Sequence, residues 1–508
     1  MQLKLKDGRW REIGRTETIQ NDLNPKFKTK IQMDYYFEEK QELQFLIYDI
    51  DDAKGTLRDQ DYLGAVTTTL GAIVGSRGAF TTALTGTKGA LEKRYGSIRI
   101  LAEEIKSGKN DAVILSIEGR NMVTGDWMGK GDHYLQFKRQ RQDGEFDLVH
   151  KTEVIKNSKN ANWGQHKINM IQLCLGSLSN NIKIELWDWN SMSEATYLGE
   201  CTTTLQAMVG APLTLTCLKP KGKNPTRVRG EIVITSCKID KEATFIQFVQ
   251  GGLEMEVIVA VDFTLSNQDP STPASLHYMD PQNYNQYQQA IIAVGEILEK
   301  YNTDKHFPAY GFGGKLPNGS VSHCFALNSS PQNPKVPGVQ GILDAYAYAL
   351  SNVALWGPTN FTDVIKVAHN FAEKVPRGKG YFVLLILTDG VVTDYDDTVD
   401  AIIAASGAPL SIIIVGVGSE NFSDMERLDG DKQKLTSTRS GKACTRDIVQ
   451  FVPFQKYRAE GAAELARNVL MELPGQLTGF MKANSIQPGA PIQESSDWNV
   501  PMQPALPP

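Results

Sequence analysis

Val257-Ile-Val-Ala-Val-Asp-Phe-Thr-Leu-Ser266 is the stretch whose reading decides the fold. An apolar run of this length suits a strand covered on both faces, as in a parallel sheet. It ends in Asp262, Thr264 and Ser266, at alternating positions. A strand delivers such residues to its own carboxyl end, where an open parallel sheet binds its ligands. One carboxylate and two hydroxyls form an all-oxygen set. That set suits a small hard divalent cation and suits nucleophilic catalysis poorly.

The sequence around this run alternates strand and helix. Apolar residues at helical spacing predict helices over 283–301, 339–355 and 360–374. Tyr381–Leu387 and Leu410–Val417 are continuous apolar runs of strand length. Alternation of this kind predicts a doubly wound α/β domain. The run 382–387 ends in Thr388-Asp389-Gly390, which puts Asp389 at the same sheet edge as Asp262. Gly357-Pro-Thr-Asn360 precedes a helix and offers Thr359 from a third loop. Asp262, Thr264, Ser266, Thr359 and Asp389 together match an octahedral oxygen site for Mg²⁺ or Mn²⁺. With so few charges the ion stays electrophilic and suits an anionic ligand, such as a partner's carboxylate.

The first half reads as β. Alternation is clear in Gln41–Tyr48 and Asn181–Trp187. An internal repeat runs through it. Lys-Thr-Glu-Val-Ile-Lys-Asn (151–157) echoes Arg-Thr-Glu-Thr-Ile-Gln-Asn (15–21), and Asn160–Trp163 echoes Leu23–Phe27. Leu-Trp-Asp-Trp-Asn (186–190) echoes Ile-Tyr-Asp-Ile-Asp (47–51). Tyr-Leu-Gly-Glu-Cys-Thr-Thr-Thr-Leu (197–205) echoes Tyr-Leu-Gly-Ala-Val-Thr-Thr-Thr-Leu (62–70). Two homologous β modules therefore stand in tandem. The polar segment Lys106–Asp111 marks their boundary.

Bulk properties narrow the class. At 508 residues the chain needs several cores. A net charge of −5 argues against a general nucleic-acid binder. Six scattered cysteines without a Cys-x-x-Cys pair read as reduced thiols. No apolar window approaches a membrane span, and the first residues lack an apolar signal core, so a cytoplasmic location is expected. No nucleophile elbow, phosphate-binding loop or zinc spacing is present.

Asp262-x-Thr-x-Ser266, the threonine loop and Leu387-Thr-Asp-Gly390 resemble the metal-ion-dependent adhesion site of von Willebrand factor A domains. The resemblance narrows to copines through Ser275-Leu-His-Tyr278, Val294-Gly-Glu-Ile297, Phe307–Gly313 and Arg446–Phe454. It implies two C2 domains followed by a von Willebrand A domain. The expected divisions are 1–106 for the first C2 module, 107–239 for the second and 240–481 for the α/β domain. A disordered, Pro-rich tail is expected over 482–508.

The same resemblance implies calcium sites on the C2 loops, where Ca²⁺ would recruit the chain to anionic phospholipid. In the second module the candidate ligands are Asp126, Asp132, Asp188 and Asn190, with Thr196 where the family has a further aspartate. Two charges fewer than the family set imply weaker calcium binding. Trp127 and Met128 form an apolar tip suited to the membrane interface. In the first module the candidates are Asp49, Asp51 and Asp61. Further strands and an aspartate pair are expected ahead of Trp10 in such a module, so it reads as N-terminally incomplete. Lys26, Lys28 and Lys30 alternate along an expected strand and form a candidate lipid-phosphate face.

The expected function is a calcium-responsive phospholipid-binding adaptor, recruited to the inner face of the plasma membrane or another membrane. Its α/β domain would hold a protein partner. The alternatives are a magnesium-dependent phosphotransferase and a scaffold without calcium response.

Overall fold

The computed structural model describes residues 1–490, except 52–54, 78, 87–95, 106–110, 125–130, 142, 191–193, 211, 221–223 and 431–432. The chain forms two compact units. One is Glu104–Glu242; the other joins Met1–Glu103 to the chain from Ala243 onward.

In the second half, five parallel strands lie in the order His306–Phe312, Glu254–Asp262, Gly380–Thr388, Leu410–Gly416, Val449–Pro453. Two-residue periodicity sends their side chains into two cores. Val257, Val259, Val261, Val383, Leu385 and Leu387 face one layer, which includes the helices Gln286–Leu298 and Gly338–Asn352. Ile258, Ala260, Leu384 and Ile386 face the other, with Thr362–Lys374 and Tyr395–Ala405. This double coverage explains why the runs are apolar at every position. The expected helices are present: the first is shorter at both ends, the second runs from Gly338 and stops at Asn352, where Ala354–Leu355 turns to strand, and the third starts at Thr362. Asn285 starts the first by accepting a hydrogen bond from the Gln288 backbone at 2.9 Å, while Gln288 caps Asn285 in return.

From Glu254–Asp262 the chain goes to His306–Phe312 on one side, then returns to Gly380–Thr388 on the other. The strand order reverses there, and such a switch opens a crevice at the strands' carboxyl ends.

The unit Glu104–Glu242 is an antiparallel sandwich. One sheet runs Asn162–Asn169, Ala112–Arg120, Gly230–Asp240, Leu213–Cys217. The other runs Thr196–Thr204, Asn181–Asp188, His133–Gln140, Phe146–Lys151. Val113, Leu115, Ile117, Leu135, Phe137, Ile184 and Trp163 fill the space between them.

The first module carries a sheet ordered Trp10–Glu12, Gln2–Lys4, Glu42–Asp49, Asp61–Thr69, with a hairpin of Phe80–Ala83 and Ser97–Ile100. The repeat is visible in its geometry. Asp61–Thr69 and Thr196–Thr204 both show a register shift against their partner strand near the Tyr-Leu-Gly sequence. Both end in a threonine, Thr69 or Thr204, whose hydroxyl caps a short helix.

This module shares a core with the α/β half. Phe37, Leu43, Leu70, Ile73 and Val74 pack in the same cluster as Phe245, Phe248 and Tyr301. The Phe37 ring lies 4.7 Å from Phe245 and 5.1 Å from Tyr301. Tyr35 and Tyr301 share a hydrogen bond between their hydroxyls. Lys40 pairs with Glu296 at 2.8 Å, and Gln250 donates to the Ala102 carbonyl at 3.0 Å. Met1–Glu103 and the chain from Ala243 thus form one compact unit.

Two sequence expectations need correction. Lys26, Lys28 and Lys30 are exposed but lie in no strand. In the second module the matching segment pairs with Ala112–Arg120. In the first, the backbone amides of Lys28 and Thr29 instead donate to the Glu17 carboxylate at 2.6 and 3.1 Å. Lys30 is engaged by Glu103. The tail also starts later than Lys482. The helix Leu473–Ala483 includes that residue, the Ile486 amide donates to Met481, and Ile486 packs on the core. Residues 491–508 lie outside the described residues.

Candidate metal centre

Asp262 closes its strand with no exposed surface, and Asp389 follows the adjacent strand at 2 % exposure. Each carboxylate is held by neutral groups. Asp262 Oδ1 accepts from the Thr264 amide at 2.8 Å and the Thr264 hydroxyl at 2.6 Å. Asp262 Oδ2 accepts from Thr388 Oγ1 at 2.6 Å. Asp389 Oδ1 accepts from Ser266 Oγ and Asn267 Nδ2, both at 2.9 Å. Neither forms an ion pair among the described residues.

Burial of this kind disfavours the charged form. It pushes Asp262 up, against the pull of its hydrogen bonds. It also pushes Asp389 up to about 7, with the nearby Asp262 charge acting in the same direction.

The hydroxyls carry a second signal. Thr264 Oγ1 and Ser266 Oγ stand 2.8 Å apart. Each has one proton, and each proton has a carboxylate to bond. With both carboxylates ionised, the two oxygens present lone pairs to each other. A cation among them would turn that repulsion into coordination. Thr359 belongs to the same cluster: a Cβ placed on Gly390 would lie 3.3 Å from Thr359 Oγ1 and 3.7 Å from Ser266 Oγ. Thr359 also accepts a hydrogen bond from the Thr393 amide at its carbonyl, 2.8 Å away.

All five residues expected from the sequence are therefore brought together at one sheet edge. Hard oxygen donors, two buried carboxylates and converging lone pairs fit a small divalent cation. No group of three or more Cys, His, Asp or Glu suited to a metal occurs among the described residues. This centre has two carboxylates and otherwise hydroxyls.

Supporting residues were not singled out from sequence. Asn267 bridges Asp389 to Tyr287, whose hydroxyl donates to Asn267 Oδ1 at 2.6 Å. Thr388 steadies Asp262. His277 is fully buried, stacked on Tyr287 with centroids 4.5 Å apart, and bonded to the Tyr346 hydroxyl at 2.7 Å. Burial lowers its pKa to about 3, so it is neutral. The available signal was their position: Asn267 directly follows the Asp-x-Thr-x-Ser segment, and Thr388 directly precedes Asp389.

The second module brings part of its expected loop set together. Asp188 is 1 % exposed; its Oδ1 accepts from the Asp132 amide at 2.7 Å and its Oδ2 from Thr124 at 3.3 Å. Asp132 Oδ1 accepts from the Asn157 amide at 2.8 Å. Asn190 Nδ2 donates to the Glu194 carbonyl and to Thr196 Oγ1 at 3.0 and 3.2 Å. Asp126, Trp127 and Met128 lie outside the described residues. In the first module Asp49 and Asp61 face each other across two strands, both exposed. Directly opposed like charges destabilise a strand pair unless a cation intervenes. The Asp51 amide donates to Gln60 Oε1 at 2.9 Å, which fixes the start of that loop.

Comparison with known proteins agrees with this architecture. A C2 domain model matches residues 1–82 and 112–218, and a copine domain model matches 275–489. Among solved structures, one described as BON1-C2B shares 22% identity, with a TM-score of 0.23, and covers 26% of this chain and 94% of its own. A C2 domain of a plant Extended Synaptotagmin 1 shares 17% identity, with a TM-score of 0.21, and covers 26% of this chain and 98% of its own.

Two all-β C2 domains followed by a mixed α/β copine domain define a calcium- and membrane-binding adaptor kind of protein. The chain belongs to the copine family. C2 and copine families are generally non-enzymatic adaptors, and C2 domains commonly bind Ca²⁺. No helix among the described residues is long and apolar enough to cross a membrane.

Proposed function

We propose that this chain is a calcium-dependent phospholipid adaptor that holds a protein partner through a divalent ion in its α/β domain. The C2 loops supply the membrane address. Asp132, Asp188 and Asn190, with Asp126 on the same expected loop set, would take Ca²⁺ in the second module. Asp49, Asp51 and Asp61 would do so in the first. A bound ion reverses the local potential and lets anionic headgroups complete its coordination. Two docking elements on one chain lengthen residence at the inner leaflet through effective concentration.

Asp262, Thr264, Ser266, Thr359 and Asp389 would hold Mg²⁺ or Mn²⁺, which supplies an electrophilic point for a partner's carboxylate. The chain's own residues do the rest. Asn267 and Thr388 orient the two carboxylates, and the buried Tyr287–His277–Tyr346 group fixes Asn267.

The observation that carries the partner reading is the pair of buried carboxylates beside two hydroxyl oxygens 2.8 Å apart. Electron paramagnetic resonance titration with Mn²⁺ tests it. Asp262→Ala and Asp389→Ala should each remove one bound Mn²⁺ while circular dichroism stays unchanged. Undiminished binding in folded variants would overturn the reading.

A further inference from the structure

Each of the three loops that would hold the ion also exposes one large apolar side chain. Leu265, between Thr264 and Ser266, is 62% exposed. Trp356, three residues before Thr359, is 46% exposed, and Val391, two after Asp389, is 45% exposed. The loops are tied together: the Leu265 amide donates to the Trp356 carbonyl at 2.9 Å, and the Trp356 amide donates to Phe263 and Gly313. Lys315 Nζ lies 4.6 Å from the Trp356 ring centroid, against one face of the indole.

The strand ends at Asp262 and Leu265–Asn267 forms a short 3-10 turn, which explains the arrangement locally. Where Thr264 and Ser266 turn toward the carboxylates, the residue between them turns away. The turn does not explain why the outward residues are leucine, tryptophan and valine. Clustered exposed apolar residues on rigid loops mark contact surfaces, and tryptophan is prominent among residues that anchor interfaces.

We propose that the three residues set partner choice at this site, selecting a protein segment whose Asp or Glu is flanked by large apolar side chains. This rests on the carboxylate-binding reading above. The carboxylate would reach the ion while its apolar neighbours cover Leu265, Trp356 and Val391. A protein segment suits the rim better than an anionic bilayer. Exposed Glu420, whose charge is felt at Asp389, and exposed Asp269, three residues past Ser266, stand off the ion position, so a segment that delivers one carboxylate to the ion meets less repulsion than a bilayer that lays many negative headgroups across the whole rim.

A peptide-display library panned on the full chain in Mn²⁺ and eluted with a chelator tests this. The expected yield is peptides with an acidic residue within two positions of Leu, Ile, Phe or Trp. The variant Leu265→Ser/Trp356→Ser/Val391→Ser should weaken them at least about tenfold while Mn²⁺ affinity by calorimetry holds. Val391→Ser alone, the mildest change, should lose a smaller part.

Acidic peptides without apolar neighbours, or equal binding to the triple variant, would overturn the proposal and leave the metal reading standing. Failure to enrich any chelator-released peptide would remove both. Manganese-dependent flotation with phosphatidylserine vesicles that is lost in the triple variant would assign the rim to a membrane and overturn it also.

Discussion

Binding of Mn²⁺ to the Asp262–Asp389 pair should release a proton whose number depends on pH in a calculable way. The metal needs ionised carboxylates. In the metal-free fold, burial and the Asp262 charge hold Asp389 near 7. At pH 6 about 0.9 of Asp389 is then protonated and at pH 8 about 0.1, so metal binding should release those fractions. Apparent affinity should fall about tenfold from pH 8 to pH 6, or about 1.4 kcal/mol. Asp262, shifted in the same direction, adds to the release.

Calorimetry in buffers of differing ionisation enthalpy counts the protons directly. Asp389→Asn supplies the control, with its metal binding lost. Release near zero at both pH values, or affinity flat with pH, would refute the reasoning.

The sign for stability follows from the same shift. Because the folded pKa is raised above the unfolded one, the metal-free fold is favoured at low pH. That contribution is lost as pH rises toward 7 and through it. Saturating Mn²⁺ should restore stability most at high pH.

Other consequences are local. Asn267→Ala removes hydrogen bonds to a buried carboxylate and to Tyr287, and should lower stability by about 1.5–3 kcal/mol with weaker Mn²⁺ binding, read by denaturant melts and calorimetry. Gly75→Ala would place a Cβ 2.2 Å from the Lys300 carbonyl oxygen, a backbone atom that cannot swing aside. It should cost about 1–3 kcal/mol in thermal melts and increase proteolysis within Met1–Glu103. Asp188→Ala strips the acceptor from the Asp132 amide and should weaken both the fold of the second module and its calcium-dependent vesicle binding, by about 1–3 kcal/mol in the first case.

The α/β half was legible because its signals are local. Strands covered on both faces must be apolar throughout, and ligands at a sheet edge must follow such strands. Asp262 and Asp389 could be placed that way before any contact was known. Asn267 adjoins the Asp-x-Thr-x-Ser segment, but nothing in the sequence there says that Tyr287, twenty residues on, holds its side-chain amide. The packing of the first module on Tyr301 and Phe245 was equally hidden. Phe37, Leu43 and Ile73 announce burial, but not what buries them.

The lysine strand failed for the opposite reason. Alternation at 26–30 satisfies the strand pattern, yet a strand needs a neighbour to pair with. Glu17 takes those amides instead. The two loops that carry Asp132 and Asp188–Asn190 are marked by resemblance, and their weakened charge is the feature to measure.

Flotation of the full chain with phosphatidylserine vesicles, in micromolar Ca²⁺ and in chelator, tests the membrane address most directly. The adaptor account predicts co-flotation in calcium, release on chelation, and weaker flotation in an Asp132→Asn/Asp188→Asn variant that remains folded. Equal flotation with and without calcium, or none at any calcium concentration, would contradict it.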